Sequence, residues 1–70
     1  MSGKMSLKAA RVNAGLSQAD AAKLLRKGKQ TLSNWETGRT KIDANAFLEL
    51  CRIYQAKPED IFLPKSITNG

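Results

Sequence analysis

The 70 residues of this chain are enough for one domain with a modest core. The single cysteine, Cys51, excludes an intramolecular disulfide, and no apolar run approaches the roughly 18 residues of a membrane span, so we expect a cytoplasmic protein without membrane contact. Residues 1–41 hold nine Lys or Arg against two acids and residues 42–70 hold three against four, so net charges of +7 and −1 make up the total of +6. This uneven charge favours a polyanionic partner for the first half, although surface lysines that only aid solubility are the alternative.

The first predicted element is a helix over residues 7–14, which follows a disordered N-terminus at residues 1–5. Ser6 is a suitable N-cap, and Gly15 ends the helix. Arg11 lies beside the apolar stripe rather than opposite it. That stripe and the residue that follows the helix begin the predicted core: Leu7, Ala10, Ala14 and Leu16.

The second predicted helix starts after Ser17. Asp20, three residues later, is a shortened capping-box partner, and the helix is expected to run to about Leu25. Ala22 and Leu25 are assigned to the core.

A third helix is predicted from the N-cap Gly28 to Gly38. Leu32, Trp35 and Glu36 fall at i, i+3 and i+4 and share a face. Trp35 is therefore assigned to the core rather than to a base-stacking platform. The opposite face carries polar and basic side chains that are free to read a ligand: Lys29, Gln30, Ser33 and Asn34.

A fourth helix is predicted after the N-cap Asp43, and a fifth from Pro58 to Leu63, where acidic residues suit the first turn. Residues 64–70 are predicted to form a tail. Cys51 is expected to be a small buried hydrophobe rather than a nucleophile. The core residues assigned to these two helices are Phe47, Leu50, Cys51, Tyr54, Ile61 and Phe62.

Several of these stretches together resemble the helix-turn-helix domains of the Cro and lambda-repressor type, also called XRE-type. The resemblance rests on Ala14-Gly15-Leu16-Ser17-Gln18, on Thr31-Leu32-Ser33-Asn34-Trp35-Glu36 with Gly38-Arg39-Thr40, and on Pro58-Glu59-Asp60-Ile61-Phe62. It covers roughly residues 7–62. It implies a compact, all-α, five-helix domain at residues 6–63 and a sequence-specific regulator of transcription. A phage-type or mobile-element-type repressor that binds a palindromic operator as a dimer is the form expected.

The chain departs from that family in the second helix and in the turn. Ala21 stands where a larger aliphatic residue is usual, so either the helix rotates to bring Leu24 into the core or Leu24 is exposed. Arg26 and Lys27 replace the usual glycine and apolar residue of the turn, and either residue is a candidate phosphate contact. Gly28 is expected to adopt the unusual backbone angles that the turn requires.

The candidate DNA contacts divide into two sets. Lys29 suits guanine O6 and N7, and Gln30 or Asn34 suits adenine N6 and N7. The resemblance places base contacts at these three positions, with Ser33 beside them, and implies an ion pair between Arg11 and Glu36. The candidate phosphate contacts are Gln18, Arg11, Arg26, Lys27, Thr37, Arg39 and Lys41.

Double-stranded DNA is thus the expected partner, with a homodimer surface near Pro58–Leu63 and no cofactor or metal. A protein-interaction module of the same fold, such as an antitoxin or adaptor, is the alternative. Catalysis is not expected, because the chain has no histidine to partner Cys51 and its six acids are not paired with a nucleophile.

Overall fold

Four α-helices and one 3₁₀ turn form the domain in the computed structural model, which describes residues 4–64. The elements are α1 (Leu7–Asn13), α2 (Gln18–Leu25), α3 (Lys29–Thr37), α4 (Ala44–Tyr54) and a 3₁₀ turn (Pro58–Asp60). The four predicted helices and the all-α class are confirmed. The fifth α-helix is wrong, because only one 3₁₀ turn follows Pro58.

Three of the four helices begin at a side-chain cap. Ser6, Ser17 and Asp43 each accept a hydrogen bond from the amide three residues later, at 3.1, 3.0 and 3.3 Å. Asp20 in turn accepts from the Ser17 amide at 3.3 Å, so the predicted capping box is present. Gly28 begins α3 without a side-chain cap.

All four helices end in the same way, at a residue with positive φ whose successor donates its amide to a carbonyl five residues back. Two of these residues are glycines, and the other two are Arg26 and Gln55. The prediction that Gly28 adopts the unusual backbone angles of the turn is wrong. Arg26 itself is left-handed at φ 60°, ψ 40°, whereas Gly28 is extended at φ −80°, ψ 155°.

The core lies where α2 and α4 pack against each other and where α1 and α3 cover them. Its fully buried large side chains are Leu7, Leu32 and Leu50, and the other buried apolar residues are Ala10, Ala21, Ala22, Trp35, Cys51, Tyr54 and Ile61. Three predicted core residues are half-buried against this cluster: Leu16, Leu25 and Phe47. The sequence left open whether Leu24 of α2 is in the core or exposed. Leu24 is 58% exposed, and Ala21 is buried.

The structure contradicts two core assignments. Ala14 is exposed because it lies at the C-cap, past the last residue of α1. Phe62 is 50% exposed. After the 3₁₀ turn the chain is extended at Ile61, with φ −115° and ψ 130°, and successive side chains of an extended chain point to opposite sides. Ile61 is buried, so Phe62 points outward.

A single parallel β-bridge between Met5 and Ile61 holds the chain extended there. The Met5 amide donates to Asp60 at 2.8 Å and the Phe62 amide donates to Met5 at 3.0 Å. These bonds take the place of the helical bonds that a fifth helix needs. Met5 therefore packs with the domain. Of the predicted terminal segments at residues 1–5 and 64–70, residues 1–3 and 65–70 lie outside the described residues.

Candidate nucleic-acid interface

Helix α3 is anchored on one side and open on the other. Leu32 and Trp35 are buried, and the helix packs against α2. Lys29 and Gln30 are exposed, and Ser33 and Asn34, one turn further on, are half-buried. All four predicted base-reading residues therefore lie on surface-accessible positions in the first two turns of the helix.

A hydrogen bond joins two of these side chains. Gln30 Nε2 donates to Asn34 Oδ1 at 3.0 Å. The residues are four apart, the spacing at which helical side chains meet.

A buried ion pair ties α3 to α1. Arg11 Nε donates to Glu36 Oε2 at 2.7 Å, and Arg11 Nη2 donates to Glu36 Oε1 at 3.4 Å. Arg11 Nη1 also donates to the Leu16 carbonyl at 2.9 Å. The Arg11 and Glu36 side chains are only 9% and 4% exposed, so this geometry favours an anchoring role for Arg11 over a phosphate contact.

Gln18 extends the same network to α2, because its Nε2 donates to Glu36 Oε1 at 2.9 Å. Glu36 thus accepts from side chains on two other helices. Gln18 is half-buried at the first position of α2, where backbone amides of a helix attract anions. The bond to Glu36 uses one of the two N–H groups of Gln18.

An open depression of about 480 Å³ lies over this network. It is bordered by Lys8 and Lys29, so two cations from α1 and α3 face the N-terminus of α2. The remaining residues at its edge are Arg11, Ser17, Gln18, Ala19, Glu36 and Thr37. Sequence reasoning missed Lys8, although its position three residues before Arg11 indicates that both side chains share one side of α1.

The other predicted phosphate contacts lie on the two segments that flank α3. Arg26 and Lys27 are exposed in the turn before it, and Arg39 and Lys41 are exposed in the loop after it. Thr37 is also exposed, but its hydroxyl donates to the Ser33 carbonyl at 3.0 Å, so a phosphate contact from this donor requires that bond to break.

Cys51 and Tyr54, two titratable side chains of α4, are buried and behave as core residues. Burial raises the pKa of the Cys51 thiol, which favours the neutral form. Burial, and then the charge of Glu36, raise the pKa of Tyr54 to about 12, while the charge of Arg11 lowers it. The Tyr54 hydroxyl is buried and finds no hydrogen-bond partner among residues 4–64.

Within residues 4–64 no group of three or more Cys, Asp or Glu side chains is placed to hold a metal ion. None of the helices in that same part of the chain is long and apolar enough to cross a membrane.

Comparison with protein-family models gives independent evidence about the family of this chain. A family model described as a helix-turn-helix domain matches residues 5–61. The chain belongs to the helix-turn-helix domain family. Comparisons with curated proteins and with solved structures found no match.

In this helix-turn-helix domain, α2 and α3 are the two helices joined by the tight turn at Arg26–Gly28. Membership of the family indicates a DNA-binding regulator. The second helix of such a motif is the one that enters the major groove, and this is the helix whose open side carries the polar side chains.

Proposed function

We propose that this helix-turn-helix domain is a sequence-specific repressor of transcription of the Cro and lambda-repressor type. It binds double-stranded DNA in the cytoplasm, without catalysis or a cofactor, and reads an operator with α3 in the major groove. One observation carries the proposal: α3 is held to the body of the domain by Leu32, Trp35 and the buried pair of Glu36, while its first two turns present polar side chains.

The distribution of charge supports the same orientation. Lys8 and Lys29 border the depression at the N-terminus of α2, and Arg39 and Lys41 follow the other end of α3. Cations on both sides of the reading helix suit the two phosphate backbones that border a groove about 12 Å wide.

The proposal separates residues that read bases from residues that hold the backbone. Asn34→Ala is expected to weaken binding to the preferred duplex by about 1–3 kcal/mol while leaving random duplex unaffected. Arg39→Ala is expected to weaken binding to every duplex alike and to reduce the salt slope by about one.

Fluorescence anisotropy over a range of salt concentrations measures both effects, once selection from a random DNA library has identified the preferred sequence. Equal losses on preferred and random duplex for both variants contradict these assignments.

We further propose that the repressor acts as a homodimer on a near-palindromic operator, with half-sites about 34–36 Å apart. The exposure of Phe62 and Leu63, at 50% and 41%, supports an apolar contact surface in the predicted region Pro58–Leu63. Phe62→Ser is expected to abolish dimerisation in analytical ultracentrifugation with the fold intact. A selected consensus without two-fold symmetry argues against the dimer.

The same exposed apolar residues also favour a second candidate, a protein-interaction module such as an antitoxin or adaptor. The two candidates make different predictions for DNA. A module that acts only on protein selects no sequence from the library, and its affinity for duplex at low salt does not depend on Gln30 or Asn34.

A further inference from the structure

Gln30 and Asn34 carry the same functional group, yet the hydrogen bond between them gives the two amides different roles. Gln30 donates one N–H to Asn34, and Asn34 turns its oxygen toward Gln30 to accept it. The bond lies on the surface of α3, with Gln30 exposed and Asn34 half-buried, so both side chains keep unpaired groups that face outward.

The inventory of remaining donors and acceptors follows from the chemistry of a primary amide. Gln30 retains its carbonyl oxygen and one N–H, which together match the donor at N6 and the acceptor at N7 of adenine. Asn34 retains two N–H groups at Nδ2, while its oxygen is turned away toward Gln30. Asn34 therefore matches a base edge that accepts, which is guanine at N7 and O6 or thymine at O4.

We propose that Gln30 and Asn34 read DNA as one coupled pair, in which Asn34 orients Gln30 toward an adenine and itself contacts a neighbouring guanine or thymine. This inference rests on the proposed function, and it replaces the prediction that either amide suits adenine. The site is specific for an adenine next to a base with a major-groove acceptor.

The competing explanation is that the bond only stabilises α3, as a Gln and an Asn four residues apart do on any helix. In that case each side chain contacts its base independently once DNA is present. The two explanations differ in whether a change at residue 34 alters the base preference of residue 30.

The experiment first assigns positions in the operator. Selection from a random library with the wild type and with Gln30→Ala identifies the base pair whose preference depends on residue 30. The ratio of Kd values for the three other bases relative to adenine at that pair is then measured. A good bidentate contact gives a ratio of about 5- to 150-fold.

Two substitutions at residue 34 separate orientation from direct contact. Asn34→Ala removes the acceptor, and the adenine ratio at the pair read by Gln30 is expected to fall by about fivefold or more. Asn34→Asp keeps an oxygen for Gln30 but loses the donor. It is expected to retain the adenine ratio and to move the neighbouring preference to cytosine, whose N4 donates. Because ratios are compared, a uniform loss of affinity from the new carboxylate cancels.

Thr31→Ala is the matched control, since Thr31 lies on α3 beside Gln30 but is not one of the predicted base or phosphate contacts. It is expected to leave the adenine ratio unchanged. Circular dichroism establishes that all variants fold. In the double-mutant cycle, the combined variant is expected to lose less specificity than the product of the two single losses.

Three outcomes overturn the coupled pair: an adenine ratio that Asn34→Ala does not change, an Asn34→Asp variant that behaves like Asn34→Ala, or single losses that multiply. In each of these cases sequence-specific binding by the wild type remains, so the proposed function stands. A wild type that selects no sequence at all refutes the proposed function, and the coupled pair with it.

Discussion

Of the four α-helices within residues 4–64, only α3 starts without a capping side chain, at Gly28, and Gly28→Ser supplies one. The backbone at Gly28 has φ −80° and ψ 155°, close to the N-caps Ser6 (−77°, 167°), Ser17 (−80°, 168°) and Asp43 (−80°, 162°). A Cβ added at Gly28 meets no atom within 4 Å. A serine there is therefore in the geometry that caps the other three helices.

The magnitude follows from the measured preferences of N-cap positions. A serine hydroxyl that accepts from the amide of Thr31 is worth a few tenths of a kcal/mol over glycine. This net difference already includes the conformational freedom that the unfolded chain loses when glycine is replaced. It raises the Tm of a domain of this size by about 1–3 °C.

Thermal and urea unfolding followed by circular dichroism measure the change, with Gly28→Ala as the matched control. Alanine brings the same restriction of the unfolded chain but cannot cap, and it ranks below glycine at N-caps, so it is expected to destabilise the domain by about 0.5–1 kcal/mol. A serine variant no more stable than the alanine variant refutes the capping argument. A serine variant less stable than the wild type refutes the claim that glycine is not needed at this position.

Three further predictions concern stability. Arg26→Gly is expected to stabilise the domain by about 1 kcal/mol in urea unfolding, since it relieves a left-handed arginine, whereas Arg26→Ala retains the strain and is not expected to stabilise. Arg11→Met leaves Glu36 buried without its charge partner and is expected to lower the free energy of unfolding by about 3–5 kcal/mol, which is enough to unfold so small a domain. Addition of Glu36→Leu is expected to restore the circular dichroism spectrum. A folded Arg11→Met variant contradicts this prediction. Tyr54→Phe removes a buried hydroxyl without a partner and is expected to be neutral or stabilising at pH 7. Folding raises the pKa of Tyr54 from 10.0 to about 12, so the hydroxyl ionises first in the unfolded chain as the pH rises. Between these two pH values the wild type is therefore expected to lose stability relative to Tyr54→Phe, by up to about 1.4 kcal/mol per pH unit. Parallel plots of stability against pH for the two proteins argue against this shift.

The helices and their starts could be predicted because the information for them is local. Ser17 and Asp20 are three residues apart, and the stripe from Phe47 to Tyr54 repeats with the helical period. Neither pattern needs a distant partner. The free side of α3 follows from the same reasoning, since Leu32 and Trp35 place the anchored face and leave Lys29 and Gln30 on the other.

The details of the site depended on contacts that local patterns do not contain. Lys8 borders the depression only because the fold brings this residue of α1 to the same opening as the start of α2. The amides of Gln30 and Asn34 acquire different roles only through the hydrogen bond between their side chains. The pairing of Arg11 with Glu36 came from family resemblance, because 25 residues separate these side chains in the sequence.

By itself, then, the sequence determined where four helices begin, which side of α1, α3 and α4 is apolar, and that the basic half contains the tight turn. Only the tertiary structure decided the rest: Met5 pairs with Ile61 and turns Phe62 outward, and Ala21 fills the space that leaves Leu24 exposed. The physical reason is that caps and periodicity act within one or two turns of chain. Burial at a helix end, by contrast, depends on which distant segment competes for the same backbone bonds and the same volume.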